Sequence, residues 1–315
     1  MCAFRALFTL DSRLRGNGGY LPCQWVIFRT VLDFRSFYTV CMAMNRIENC
    51  FRGLRARNRR GVILFITAGD PCPEHTVPLM HALVEGGADL VELGVPFSDP
   101  MADGPAIQRS SERALEHGTS LSDVLRMVAC FRERDRVTPV VLMGYLNPVE
   151  AMGVAAFGAA AAAAGVDGVL LVDLPPEEAA EVSEELRRRG LDQIFLLSPT
   201  TGERRLERIC RSARGFLYYV SLKGVTGSEH LELKEVATAL DRVRHSSSLP
   251  VAVGFGIKDS RAAAGAAGLG DAVVIGSALV ERLAAVAGEP GRLPEVASGF
   301  AREIRMAVDG AGLPG

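Results

Sequence analysis

Eight short apolar runs recur along this chain, and no other feature of it constrains the fold as tightly. They read VILFIT (62–67), ADLVELG (88–94), PVVLMG (139–144), GVLLV (168–172), QIFLL (193–197), GFLYYV (215–220), PVAVGF (250–255) and DAVVIG (271–276). Each is nearly continuous in Val, Leu, Ile and Phe, the pattern of parallel strands covered on both faces. The segments between them predict helices over Glu74–Gly86, Ala106–His117, Ser120–Asp135, Val149–Ala164, Glu177–Arg189 and Gly202–Ala213. Further helices follow the last three strands, from near Glu232, Lys258 and Ser277. Eight strand–helix units without a long polar linker predict an α/β protein built as a single closed (β/α)8 (TIM) barrel. An open doubly wound sheet would carry a GxGxxG turn after its first strand, and that turn here reads TAGDPCPE. In a barrel of this kind the functional groups sit at the C-terminal ends of the strands and in the loops that follow.

Composition narrows the function. The net charge of −2 gives no reason to expect a nucleic-acid or membrane-surface partner. Cys2, Cys23, Cys41, Cys50, Cys72, Cys130 and Cys210 form no CxxC pair, which fits reduced thiols in a cytoplasmic setting and no zinc site. The five histidines are equally dispersed, so no metal is expected. Residues 1–43 differ from the rest: they hold the only tryptophan, Trp25, and five arginines against two aspartates. They read as an N-terminal extension outside the fold, from an early start of translation ahead of Met44 or, as the alternative, a plastid-type targeting segment. The catalytic domain is then expected over 44–315.

The second strand carries an anomaly. Glu92 stands among Leu and Val in ADLVELG, and a carboxyl group there is costly unless it is used. Side chains alternate along a strand, so Leu90, Glu92 and Gly94 share one face and Val91 and Leu93 the other. If the valine and leucine face the helices, Glu92 points into the barrel, where partial desolvation raises its pKa into the range useful for proton exchange. The alternative is a structural acid paired with a base. Asp103 follows in SDPMADGP, where ordinary turn chemistry is the alternative. Three glycine-bearing turns follow the last three strands: Gly224, Thr226 and Gly227; Gly254 and Gly256; Gly276 and Ser277. Backbone N–H groups at such turns bind phosphate, although glycines also simply close tight turns. Parity on strand six brings Tyr218 to the mouth, and Phe65, Met143, Tyr145 and Leu170 converge there as an apolar slot or as core.

Together these residues resemble the tryptophan synthase alpha chain family. VELGVPFSDPMADGPAIQ is similar to that family's signature, FITAGDP (65–71) to its first strand and turn, LMGYLNP (142–148) to its third strand exit, KGVTG to its loop after strand six, and GFGI and IGSA to its phosphate turns. The resemblance implies a lyase that splits indole-3-glycerol phosphate into indole and glyceraldehyde 3-phosphate in tryptophan biosynthesis. It implies Glu92 and Asp103 as catalytic acids, with Tyr218 beside them. It implies Gly227, Gly256, Gly276 and Ser277 as phosphate contacts, and Phe65, Met143, Tyr145 and Leu170 as the indole pocket. Thr226 would belong to a lid loop, and Asp99 and Pro100 would face the beta chain. No cofactor is expected on this chain; pyridoxal phosphate is expected on a beta-chain partner within an alpha2beta2 heterotetramer. The alternatives are a stand-alone indole-releasing lyase, another phosphate-ester barrel enzyme, or a non-catalytic activating subunit.

Overall fold

Every residue of strand β1 (Gly61–Thr67) is buried, as a strand covered by helices on one side and barrel interior on the other must be. Strands β2 (Leu90–Gly94), β3 (Val140–Gly144), β4 (Gly168–Leu171), β5 (Asp192–Leu197), β6 (Leu217–Val220), β7 (Val251–Gly254) and β8 (Ala272–Ile275) follow in parallel, and β8 pairs back onto β1. This is the closed (β/α)8 barrel expected from the eight apolar runs. The computed structural model describes residues 45–220, 229–254 and 256–311, the side chains of 229–234 excepted. The expectations for residues 1–43, Gly224, Thr226 and Gly227 fall outside them.

Between the strands run helices α2 (Thr76–Gly86), α3 (Pro105–Glu116), α4 (Leu121–Arg132), α5 (Leu146–Met152), α6 (Val154–Ala164), α7 (Ala180–Arg188), α8 (Glu203–Ser212), α9 (Glu229–Ser246), α10 (Ser260–Ala267) and α11 (Ser277–Ala285). Two helices lie outside the sequence expectation: α1 (Arg46–Ala56), ahead of β1, and α12 (Leu293–Gly310), after the last unit. A third difference is the break of the single helix expected over 149–164. It is two helices bent by 98° at Gly153, whose φ of 87° no L side chain adopts readily. Among the described residues no single helix is long and apolar enough to cross a membrane.

Alternation along each strand sorts the core into two layers. Leu90, Val141, Leu170, Ile194, Phe216, Ala252 and Ala272 fill the barrel interior. Val91, Leu93, Val140, Leu142, Val169, Leu217, Val253 and Val273 pack outward against the helices. Helix α1 belongs to the inner layer. Its narrow apolar stripe, Ile47, Phe51 and Leu54, closes the floor of the barrel, with the Phe51 ring 5.6 Å from that of Phe216. Removing three large side chains from water at the open end of a barrel is what fixes this short, charge-rich helix in place.

One polar device recurs at the barrel foot. The first residues of a strand have N–H groups that no neighbouring strand fully serves. Asp89 accepts the Val62 N–H at 2.8 Å, Asp167 that of Val140 at 2.8 Å, and Asp271 that of Val251 at 2.9 Å. Each carboxylate has an arginine beside it: Arg305 for Asp89, Arg132 and Arg46 for Asp167, Arg60 for Asp271. The contacts of Arg305 and Arg46 thereby tie α12 and α1 to the barrel foot. With the foot given over to structure, the C-terminal strand ends remain for chemistry.

Candidate active site

Glu92 lies in the middle of β2, in register with Phe65 on β1 and Val141 on β3. Its neighbour two positions earlier, Leu90, belongs to the interior layer, and Val91 and Leu93 belong to the outer one. The carboxyl group therefore faces the barrel interior. It is only 1% exposed, and its Oε1 atom is buried with no hydrogen-bond partner. Burial first, and the negative charge of Asp103 second, push its pKa up to about 8. No cation offsets either effect, so the structural ion pair considered above is absent among the described residues. A carboxyl in this state holds its proton at neutral pH.

Asp103 hangs from the loop between β2 and α3, half-buried. Burial raises its pKa, and a hydrogen bond from the Tyr145 hydroxyl, at 3.1 Å, pulls it back. The same hydroxyl accepts the Ala102 N–H at 3.0 Å, so the phenol grips both sides of the 102–103 peptide. Tyr145 is itself buried and stacks on Phe97 at 5.0 Å. It stands just past the end of β3, as the N-cap residue of α5, where strand alternation no longer applies. Gln108 completes the support: its amide donates to the carbonyls of Asp103 at 3.0 Å and Pro100 at 3.3 Å.

Tyr218 extends from β6 into the same interior cluster as Met143, Val172 and Leu196. Burial, then the negative charges of Glu92 and Asp103, hold its pKa well above the ordinary phenol value, so it stays neutral and near both acids. Its ring is admitted by Gly254, where a Cβ would come within 2.9 Å of the ring. Phe65 is accommodated similarly: a Cβ on Gly94 would sit 2.5 Å from its ring tip, and one on Gly276 would sit 3.3 Å from its near side. Leu170 lies fully buried beneath. Val172 and Leu196 were not singled out from the sequence, although alternation from Leu170 and Ile194 points to both.

The glycine turns sit at the same end. Gly276 precedes α11 with no side-chain cap, which leaves the backbone N–H groups of the first turn, starting at Ser277, without a side-chain acceptor. Gly276 and Ser277 are half-exposed, and Gly256 is exposed with φ of 61°. Free N–H groups at a helix start are a ready anion site. Asp99 is exposed and Pro100 half-exposed on the loop before Asp103, beside Met101, which is 87% exposed. Gly227 and Thr226, expected at the phosphate and the lid, lie outside the described residues. Lys258, the one lysine whose side chain is described, is exposed at the surface.

A parallel barrel with a buried glutamic acid that has no cationic partner among the described residues, a second acid near it and an uncapped helix start at the same end belongs to the class of (β/α)8 barrel enzymes. The tryptophan synthase alpha chain family model matches residues 51–306. Over 267 residues the chain is 57% identical to the tryptophan synthase alpha chain of Alkalilimnicola ehrlichii, covering 85% of this chain and 97% of that one. The alpha chain of Thioalkalivibrio sulfidiphilus is 56% identical, over 84% of this chain and all of its own. The crystal structure of tryptophan synthase subunit alpha from Legionella pneumophila superposes with a TM-score of 0.79 at 46% identity, over 85% of this chain and 99% of that one. The chain belongs to the tryptophan synthase alpha chain family. It is accordingly a lyase of tryptophan biosynthesis that cleaves indole-3-glycerol phosphate, and the family implies a beta-chain partner.

Proposed function

We propose that Glu92 carries the proton chemistry of a retro-aldol cleavage, with Asp103 and Tyr218 as its companions. Glu92, protonated, gives its proton to ring C3 of indole-3-glycerol phosphate. The ring becomes an iminium-like cation with positive charge spread onto the indole nitrogen. Glu92, now a carboxylate, takes the proton of the adjacent glycerol hydroxyl as the bond between C3 and that carbon breaks. The bonding electron pair returns to the ring, giving indole, and the hydroxyl carbon becomes the aldehyde of glyceraldehyde 3-phosphate. The ring itself accepts the electrons, so no Schiff base is needed, in keeping with the surface location of Lys258. Asp103, whose carboxyl accepts the Tyr145 hydrogen bond and thereby has the burial-driven rise of its pKa opposed, accepts the indole N–H and stabilises the charge as it develops. Tyr218, neutral beside both acids, closes one wall of the cavity and presents a hydroxyl near the reacting atoms.

Phe65, Met143 and Leu170, with Val172 and Leu196, form the apolar slot for the ring in this reading, and Tyr145 holds its Asp103 edge. Gly276, Ser277 and Gly256, together with Gly227, hold the phosphate and supply binding energy for orientation. Thr226 belongs to a lid over the site. Asp99 and Pro100, on the exposed loop with Met101, meet the beta chain, which carries the pyridoxal phosphate in an alpha2beta2 heterotetramer in the cytoplasm. The catalytic unit is 44–315, and a chain starting at Met44 is expected to keep full activity.

The observation that carries the proposal is Glu92 buried in the barrel interior with Oε1 unpartnered, where burial pushes its pKa up to about 8. Indole release from indole-3-glycerol phosphate by purified Glu92→Gln protein tests it. Turnover is expected to fall by about 10³-fold or more, with the circular dichroism spectrum retained and the thermal midpoint no lower than the parent's. Normal turnover would refute the assignment.

A further inference from the structure

Helix α3 starts two residues after Asp103, and its N-cap, Gly104, supplies no side-chain hydrogen bond. What locates the helix is a row of contacts from one of its faces to the end of β1 and the loop beyond. The Ser110 and Thr67 hydroxyls share a 2.6 Å hydrogen bond, both residues being buried. Arg113 grips Asp70 as a fork, Nε to Oδ1 at 2.6 Å and Nη2 to Oδ2 at 2.9 Å. His117 Nε2 lies 3.0 Å from the Pro71 carbonyl. Positions 110, 113 and 117 are spaced by three and four, hence stacked on one side of the helix. At the other end of α3, Gln108 holds the Asp103 and Pro100 carbonyls.

The fork is the strongest member of this row. Asp70 is 4% exposed, and burial raises its pKa while Arg113 opposes that rise. A planar guanidinium meeting a carboxylate through two parallel bonds fixes direction as well as distance. The path from the fork to Asp103 runs through helix α3 and Gln108, so the influence along it is one of position. Phe65, on the same strand as the loop that Asp70 anchors, lines one side of the cavity, and Asp103, on the loop that α3 carries, lines another.

We propose that Asp70 and Arg113 are a positioning pair for the cleavage reaction: their fork sets helix α3 against the exit of β1, and Gln108 passes that setting to Asp103. The proposal rests on the role given to Asp103 above. An acceptor that must meet the indole N–H only as charge develops is sensitive to small displacement, and a shift of about 1 Å costs up to roughly a hundredfold in rate.

The test uses the full-length chain and measures kcat and KM for indole-3-glycerol phosphate together with the thermal midpoint. Arg113→Met is expected to lower kcat by about ten- to a hundredfold with KM within about threefold. Arg113→Lys, which keeps the charge but loses the fork, is expected to recover the thermal midpoint and only part of kcat. Arg305→Met breaks another ion pair, with Asp89 at the opposite end of the barrel; it is expected to lower the thermal midpoint with kcat within about twofold. The proposal is overturned if Arg113→Met keeps kcat within twofold of the parent, or if Arg305→Met loses kcat to the same extent. If Arg113→Met does not fold, Gln108→Met reads the same path from its other end: a fall of about fivefold at an unchanged thermal midpoint supports it, and kcat within twofold overturns it. Asp103→Asn is assayed alongside. An active Asp103→Asn refutes the role of Asp103 itself, whereas an inactive Asp103→Asn beside a normal Arg113→Met refutes the positioning pair alone.

Discussion

Glu92→Gln should make this protein more stable as it makes it inactive, and the gain should depend on pH in a way that only a buried, raised carboxyl produces. The group's pKa rises from 4.5 to about 8 on folding. Below 4.5 it is protonated in both the folded and unfolded chain and has no effect on their balance. As pH climbs from there, the unfolded chain releases the proton while the folded chain keeps it, and folding loses about 1.4 kcal/mol per pH unit. The loss levels off above about 8, where the folded carboxyl also ionises. At pH 5 the penalty is then about 1 kcal/mol and at pH 8.5 about 5 kcal/mol, a difference of about 4 kcal/mol. Glutamine fills the same space and does not titrate, so it escapes the pH-dependent part. Urea unfolding of parent and variant at the two pH values isolates that part, because the titrating groups that do not feel Glu92 cancel between them. The stability difference should move by about 4 kcal/mol in favour of the variant between pH 5 and 8.5. A movement below about 1 kcal/mol would mean that Glu92 is ionised in the folded barrel, and the proton-donor role would fall with it.

Four further outcomes follow from the same geometry. Because Glu92 must begin protonated, kcat/KM should decline as pH rises past about 8, which a pH–rate profile of indole release reads directly. Tyr145→Phe removes the hydrogen bond that lowers the Asp103 pKa, so the acid limb of that profile should move to higher pH; an unmoved limb would deny Asp103 its ionised role. Gly94→Ala puts a methyl group 2.5 Å from the Phe65 ring, and should cost about 1–3 kcal/mol in urea unfolding while raising KM as the ring is displaced. Phe51→Ala opens the barrel floor and should cost about 3–5 kcal/mol, yet leave kcat at 25 °C within about twofold, since the floor lies opposite the acids.

Which of these features a reader of the sequence could anticipate depends on the distance over which each is decided. Burial on two faces is written residue by residue, so the eight strands were readable from their continuous apolar runs, and alternation made the inward turn of Glu92 one of the readings open. Alternation stops where the pleat stops. The sequence places Tyr145 among the apolar residues converging on the mouth, and in the fold it stands in the cap of α5, just past the end of β3. Its hydroxyl reaches Asp103, 42 positions back, a contact that alternation does not foretell. The stripe of Ile47, Phe51 and Leu54 is visible in the sequence of α1, yet nothing local says that the surface it needs is the bottom of a barrel.

The polar pairings are harder still, because a carboxylate does not advertise its partner. Asp89 and Asp167 each open a strand run after a glycine two positions earlier, and Asp271 follows Gly270 directly, so a recurring signal is present in the sequence. Its meaning, an aspartate serving the first N–H groups of the preceding strand, appears only when residues 20 to 27 positions apart are brought together. Asp70 and Arg113 are separated by 43 positions and two different loops, and each alone reads as surface charge. Barrel closure is what makes them neighbours, since β1 and β2 must lie side by side before the loop after one can meet the helix after the other. The acid that performs the chemistry is thus specified locally, by one strand's pattern, while the precision with which its companion is held is specified by the closure of the whole sheet.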